Sequence, residues 1–94
     1  MSTNRITLQS LRELKQRRQP IVMLTCYDHP TAKILANANI DILLVGDSAA
    51  TTVLGHDSTT KITFEFLLTI TEAVRRGAPD VFLMADMPFA DRET

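Results

Sequence analysis

The chain has 94 residues, room for one small domain. Hydrophobic residues make up 45% and Trp is absent, so the expected core is built on Leu, Ile, Val, Ala and Met. A net charge of −1, with no block of like charge, gives no electrostatic footprint for nucleic acid or an anionic membrane, and no apolar run approaches the roughly 18 residues needed to cross a bilayer.

In chain order, the segment Thr7 to Arg18 predicts an amphipathic helix. Leu8, Leu11 and Leu14 recur at helical spacing, Thr7 is its N-cap, and Pro20 stops it. Lys15, Arg17 and Arg18 read as a solvated helix end. Arg5, Arg12 and Glu13 interrupt any secretory pattern, which with a single cysteine points to a cytosolic protein. Ile21 to Leu24 is a short apolar run that predicts a buried strand. It delivers Thr25, Cys26, Tyr27 and Asp28 at its end. Cys26 has no partner for an internal disulfide and no activating motif beside it, so it reads as a reduced, buried thiol.

His29 and Pro30 open a second helix, with Ala32, Ile34, Leu35 and Ala38 on its apolar side and Asn37 and Asn39 at its end. Ile40 to Val45 predicts a second strand, apolar enough to be covered on both faces. An open loop is expected from Gly46 to about Lys61. Thr63 then caps the best helix of the chain, with Phe64, Leu67, Leu68, Thr71 and Val74 on one face. Arg75 and Arg76 sit in its last turn, and Gly77 and Pro79 form its stop signal. A third strand is expected over Val81 to Met84. Strand and helix alternate, which implies βαβ crossovers, a parallel sheet and an α/β fold with no internal boundary.

Two carboxylates end consecutive strands: Asp47 the second, Asp86 the third. Ligand sites in parallel sheets lie at the carboxyl ends of strands. Neighbouring strands are about 4.8 Å apart, so aspartates at matching heights would converge. Two carboxylates so placed repel, and a hard cation such as Mg²⁺ relieves the repulsion while leaving positions for water or an oxygen-rich ligand. The alternative is that each Asp only caps a helix or a turn, and Ser48 either binds an anion or ties down the loop. Spacing alone does not decide between these. Tyr27 and Asp28 end the first strand and face the same rim as secondary candidates. His56 and Asp57 suit a turn better than a base, and His29 reads as structural.

The phrases "LTCYD", "LLVGDS", "GHDST", "AVRRGAP" and "MADMPF" occur in order between Ile21 and Phe89. Together they resemble the N-terminal third of the ketopantoate hydroxymethyltransferase family. The resemblance implies a (β/α)₈ TIM barrel, of which residues 1–94 would be the N-terminal helix and the first three strands with their helices. It also implies a Mg²⁺-dependent, cytoplasmic homo-oligomer, commonly a decamer. The reaction so implied moves a one-carbon unit from 5,10-methylenetetrahydrofolate to 3-methyl-2-oxobutanoate, giving 2-dehydropantoate on the route to pantothenate and coenzyme A.

Carried over residue by residue, the resemblance makes Asp47 and Asp86 metal ligands that also touch the keto acid, and Ser48 a keto-acid ligand. It assigns no catalytic residue within this chain, since the family's proton acceptor, a glutamate, would lie beyond Thr94. The run Ala49, Ala50, Thr51, Thr52 departs from the Gly and bulky apolar residue usual after GDS, which matters if the backbone there needs a positive φ. The tail "ADRET" departs as well. A barrel of this type needs about 250 residues, and three strands alone leave two open edges, so the isolated chain is expected to be unstable, self-associating and weakly active at best. Two competing readings are a non-catalytic remnant or assembly piece, and a related barrel enzyme acting on phosphoenolpyruvate or isocitrate.

Overall fold

The computed structural model describes residues 5–87. The elements in order are α1 (Leu8–Gln16), β1 (Met23–Thr25), α2 (His29–Ala36), β2 (Ile42–Val45), α3 (Ala49–Thr52), a 3₁₀ turn (Thr59–Lys61), α4 (Phe64–Gly77) and β3 (Phe82–Ala85). Pro88, Phe89 and the "ADRET" tail lie outside the described residues.

Side chains fix where the longer helices start. Thr7 Oγ1 accepts from the Ser10 N–H at 3.1 Å, and Ser10 Oγ accepts from the Thr7 N–H at 3.2 Å, a reciprocal cap for α1. The Asp28 carboxylate accepts from the Thr31 N–H at 2.8 Å and starts α2. Thr63 does the same for α4 through the Phe66 N–H at 3.1 Å. The end of α1 is set before Pro20 is reached. Arg18 is left-handed at φ 58°, the Arg18 N–H bonds to Lys15 O at 3.1 Å and the Gln19 N–H to Leu14 O at 2.9 Å. That pair of bonds is a Schellman motif, with Arg where Gly is usual.

The strands form one parallel sheet in the order β1-β2-β3. Met23 pairs with Ile42 and Thr25 with Leu44, and Ile42 pairs with Phe82 and Val45 with Ala85. The core lies where α4 packs on α2 and on β2. Leu43, Val45, Val74 and Ala32 are fully buried there, and Cys26 nearly so. The central strand is buried as its apolar run predicts.

Three expectations change. First, Ile21 to Leu24 is not buried: these side chains are 39–48% exposed, because β1 is an edge strand with nothing described across it. Second, the buried stripe of α4 is Leu67, Ile70, Val74 and Gly77, while Phe64 and Leu68 face outward. Third, Gly77 is not a stop signal. It is the last residue of α4, its φ is not left-handed, and a Cβ there would lie 2.7 Å from His29 O and 2.8 Å from Ala32 Cβ. Glycine is needed for the close approach of two helices. The turn after α4 is held instead by Arg75, whose Nη1 donates to the carbonyls of Ala78 (3.2 Å), Pro79 (2.8 Å) and Val81 (3.0 Å).

The region expected to be an open loop also carries structure. Residues 49–52 are helical, with Ala49 and Ala50 fully buried. Neither has a positive φ, so alanine at these positions carries no backbone strain. No helix among the described residues is long and apolar enough to cross a membrane.

Candidate functional site at the carboxyl edge of the sheet

The parallel order puts the ends of β1, β2 and β3 on one edge. Tyr27, Gly46, Asp47, Ser48 and Asp86 follow those ends directly. Backbone bonds prolong the ladder at two points on this edge. The Cys26 N–H donates to Leu44 O at 3.0 Å, and the Asp86 N–H donates to Val45 O at 3.0 Å.

Asp47 and Asp86 do not sit at matching heights. Val45 pairs with Ala85, so Asp86 is level with Gly46. Its carboxylate nevertheless reaches Asp47, because Asp86 Oδ2 accepts from the Asp47 backbone N–H at 3.0 Å. Gly46 leaves room for that reach: a Cβ there would lie 3.3 Å from Asp86 Oδ2, a tight contact. Asp47, Ser48 and Asp86 are all half-buried.

Ser48 starts α3, yet its side chain makes no cap bond there. Its Oγ is hydrogen-bonded to the Tyr27 hydroxyl, across from the end of β1. Sequence reading named both residues but could not pair them, since they are 21 positions apart. Asp28, the other secondary candidate, is drawn off to cap α2. Its bonds to the Thr31 side chain and backbone N–H hold its carboxyl below the usual carboxylate range.

The remaining candidates stand apart from the edge chemistry. His29 Nδ1 lies 3.2 Å from Ala73 O, a helix-to-helix contact that fits a structural role. His56 and Asp57 are exposed, and the His56 N–H closes the turn after α3 on Ala50 O at 2.9 Å. Cys26 is buried, and burial pushes its thiol pKa up, away from a reactive thiolate.

Asp47 and Asp86 offer hard oxygen donors from adjacent strands, the donor type that Mg²⁺ takes. Among the described residues no group of three or more His, Cys, Asp and Glu side chains is placed to hold a metal ion. Two carboxylates on an open edge fit a cation that keeps other positions for water and substrate better than a structural metal does.

Comparison with known proteins bears on the family of the chain. The family model for ketopantoate hydroxymethyltransferase matches residues 5–94. Among curated relatives, a 3-methyl-2-oxobutanoate hydroxymethyltransferase of Geobacillus sp. (strain WCH70) is 53% identical over 77 residues, which is 82% of this chain and 28% of that protein. The enzymes of the same name from Thermosipho africanus and Staphylococcus saprophyticus are each 51% identical, covering 89% and 88% of this chain and 31% of their own lengths. The chain thus spans about 30% of the length of the curated relatives it matches. An α/β fold of three parallel strands, two aspartates and a serine at their carboxyl edge, and a family match over nearly the whole chain lead to one conclusion: the chain belongs to the ketopantoate hydroxymethyltransferase family.

Proposed function

We propose that this chain forms the metal- and keto-acid-binding rim of a 3-methyl-2-oxobutanoate hydroxymethyltransferase. It would be the N-terminal third of a single (β/α)₈ barrel domain, in a cytosolic homo-oligomer. The reaction is transfer of a one-carbon unit from 5,10-methylenetetrahydrofolate to 3-methyl-2-oxobutanoate, giving 2-dehydropantoate for pantothenate biosynthesis. The observation that carries this reading is the Asp86 carboxylate held over Gly46 on the Asp47 backbone, beside Ser48, in a chain of this family.

In this reading Asp47 and Asp86 hold Mg²⁺. A cation held by these two residues would supply stabilisation for negative charge on the keto acid. The Asp47 N–H fixes the orientation of the Asp86 carboxylate before any ligand arrives, which lowers the reorganisation needed on binding. Ser48 offers its hydroxyl to the keto-acid carboxylate and orients the substrate. Neither aspartate takes the proton, because a carboxylate engaged with a cation is a poor base.

The test is a chimera in which this chain replaces the matching N-terminal segment of the Geobacillus relative. Formation of 2-dehydropantoate that disappears with Asp47→Asn or Asp86→Asn is the expected result. A well-folded chimera that is inactive, or one indifferent to both substitutions, contradicts the proposal.

A further inference from the structure

We infer that Tyr27 is a positioning residue for the keto acid, acting through Ser48; the inference rests on the keto-acid reading above. Tyr27 has backbone bonds fixed on both sides. Before it, the Cys26 N–H is the last rung between β1 and β2, bonded to Leu44 O at 3.0 Å. After it, Asp28 caps α2 through Thr31 at 2.8 Å. The ring packs against the buried core cluster, and its hydroxyl reaches the Ser48 Oγ. The phenol is therefore held from three directions at the point where it meets the serine.

That contact decides which way the serine proton points. A phenol is the stronger donor and the weaker acceptor of the two hydroxyls. Tyr27 therefore donates to Ser48 Oγ, and the Ser48 proton is left to point outward. A carboxylate arriving at the rim accepts that proton in a relay from Tyr27 to Ser48 to ligand. Each bond in such a chain polarises the next, and a charged acceptor strengthens it most. Ser48 has no competing role as a helix cap, since its side chain makes no bond to the start of α3. Without the phenol, the serine hydroxyl is free to rotate and loses its direction.

The experiment is a double-substitution cycle in the chimera described above, with Tyr27→Phe, Ser48→Ala and the pair together. Tyr27→Phe keeps the packed ring and removes only the hydroxyl. Two affinities are measured for each: Mn²⁺ alone by electron paramagnetic resonance, and 3-methyl-2-oxobutanoate in saturating Mn²⁺ by NMR titration. Tyr27→Phe is expected to weaken the keto acid about fivefold with Mn²⁺ affinity unchanged, the size of one ordinary hydrogen bond. In the Ser48→Ala background the same change is expected to have almost no further effect, a non-additivity that general loosening of the fold does not produce. Wild-type affinity in Tyr27→Phe, or fully additive effects, overturns the inference. Equal loss of Mn²⁺ and keto acid overturns it too, by showing a structural role. An unsubstituted chimera that is folded and binds Mn²⁺ but no keto acid overturns the functional reading itself.

Discussion

Aspartates stand at both ends of this short parallel sheet, and the two ends use them differently. At the amino end Asp41 stitches backbone together. Its carboxylate accepts from the Val22 N–H at 2.8 Å, its own N–H donates to Val22 O at 3.0 Å, and its carbonyl accepts from the Phe82 N–H at 3.2 Å. One residue thereby joins the starts of all three strands. Asp80, close by in sequence to β3, pairs with exposed Arg5 at 3.8 Å and takes the Ile6 N–H on its carbonyl at 2.7 Å. At the carboxyl end the Asp86 carboxylate accepts from the Asp47 backbone N–H across Gly46, beside a serine and tyrosine hydroxyl pair. Both the Asp41 and the Asp86 carboxylates accept a backbone N–H, so the proposed difference between the ends rests on what else lies beside them.

The comparison breaks most readily at Asp86. Asp86→Asn is expected to weaken Mn²⁺ about a hundredfold, close to 2.7 kcal/mol, because half of the charge at the site is gone. Urea unfolding should move little beside it. At the opposite end Asp41→Ala is expected to do the reverse: a loss of about 1.5 kcal/mol of stability, from the charge-assisted bond to Val22, with Mn²⁺ affinity kept. Equal effects of the two substitutions on both measurements would erase the distinction between the ends.

Smaller changes sharpen it. Asp28→Ala removes the α2 cap and should cost about 1 kcal/mol at neutral pH. The folded carboxyl of Asp28 titrates below its unfolded value, so its contribution is present above the unfolded pKa and is lost as pH falls through the folded one. The gap between wild type and Asp28→Ala should therefore narrow as pH falls through the folded value. Because Asp28 is exposed, solvent screening keeps the pH-dependent part small. The smallest expected effect is that of Gly46→Ala. Its Cβ would press Asp86 Oδ2 by a few tenths of an ångström, for a loss of Mn²⁺ affinity of about threefold.

Much of the frame was legible in the sequence, because strands and long helices leave periodic marks and caps are local. Thr7 and Thr63 announce the starts of α1 and α4 from their own neighbourhoods. Contacts between distant residues leave no such mark. Gly77 reads as a stop signal until His29 is seen against it, and Arg75 reads as a surface cation until three carbonyls are seen around it. The α3 helix and the 3₁₀ turn are four and three residues long, too short to show a period. At the site, Asp47, Ser48 and Asp86 were visible as strand-end residues. The one-residue offset that makes Gly46 matter, and the Tyr27 to Ser48 bond, depend on strand register and were not. The expected weakness of three strands in isolation has a concrete basis in β1, where Met23 is 48% and Leu24 43% exposed. Concentration-dependent self-association in analytical ultracentrifugation is the outcome this edge predicts.

The central claim is that the carboxyl edge of β2 and β3 is the cation and keto-acid site. The most direct measurement is paramagnetic line broadening in amide NMR spectra as Mn²⁺ is added, without and with 3-methyl-2-oxobutanoate. The account predicts broadening centred on Asp47, Ser48 and Asp86, appearing at lower Mn²⁺ concentration when the keto acid is present. Broadening centred on Asp41 and Asp80, or none that the keto acid alters, would contradict it.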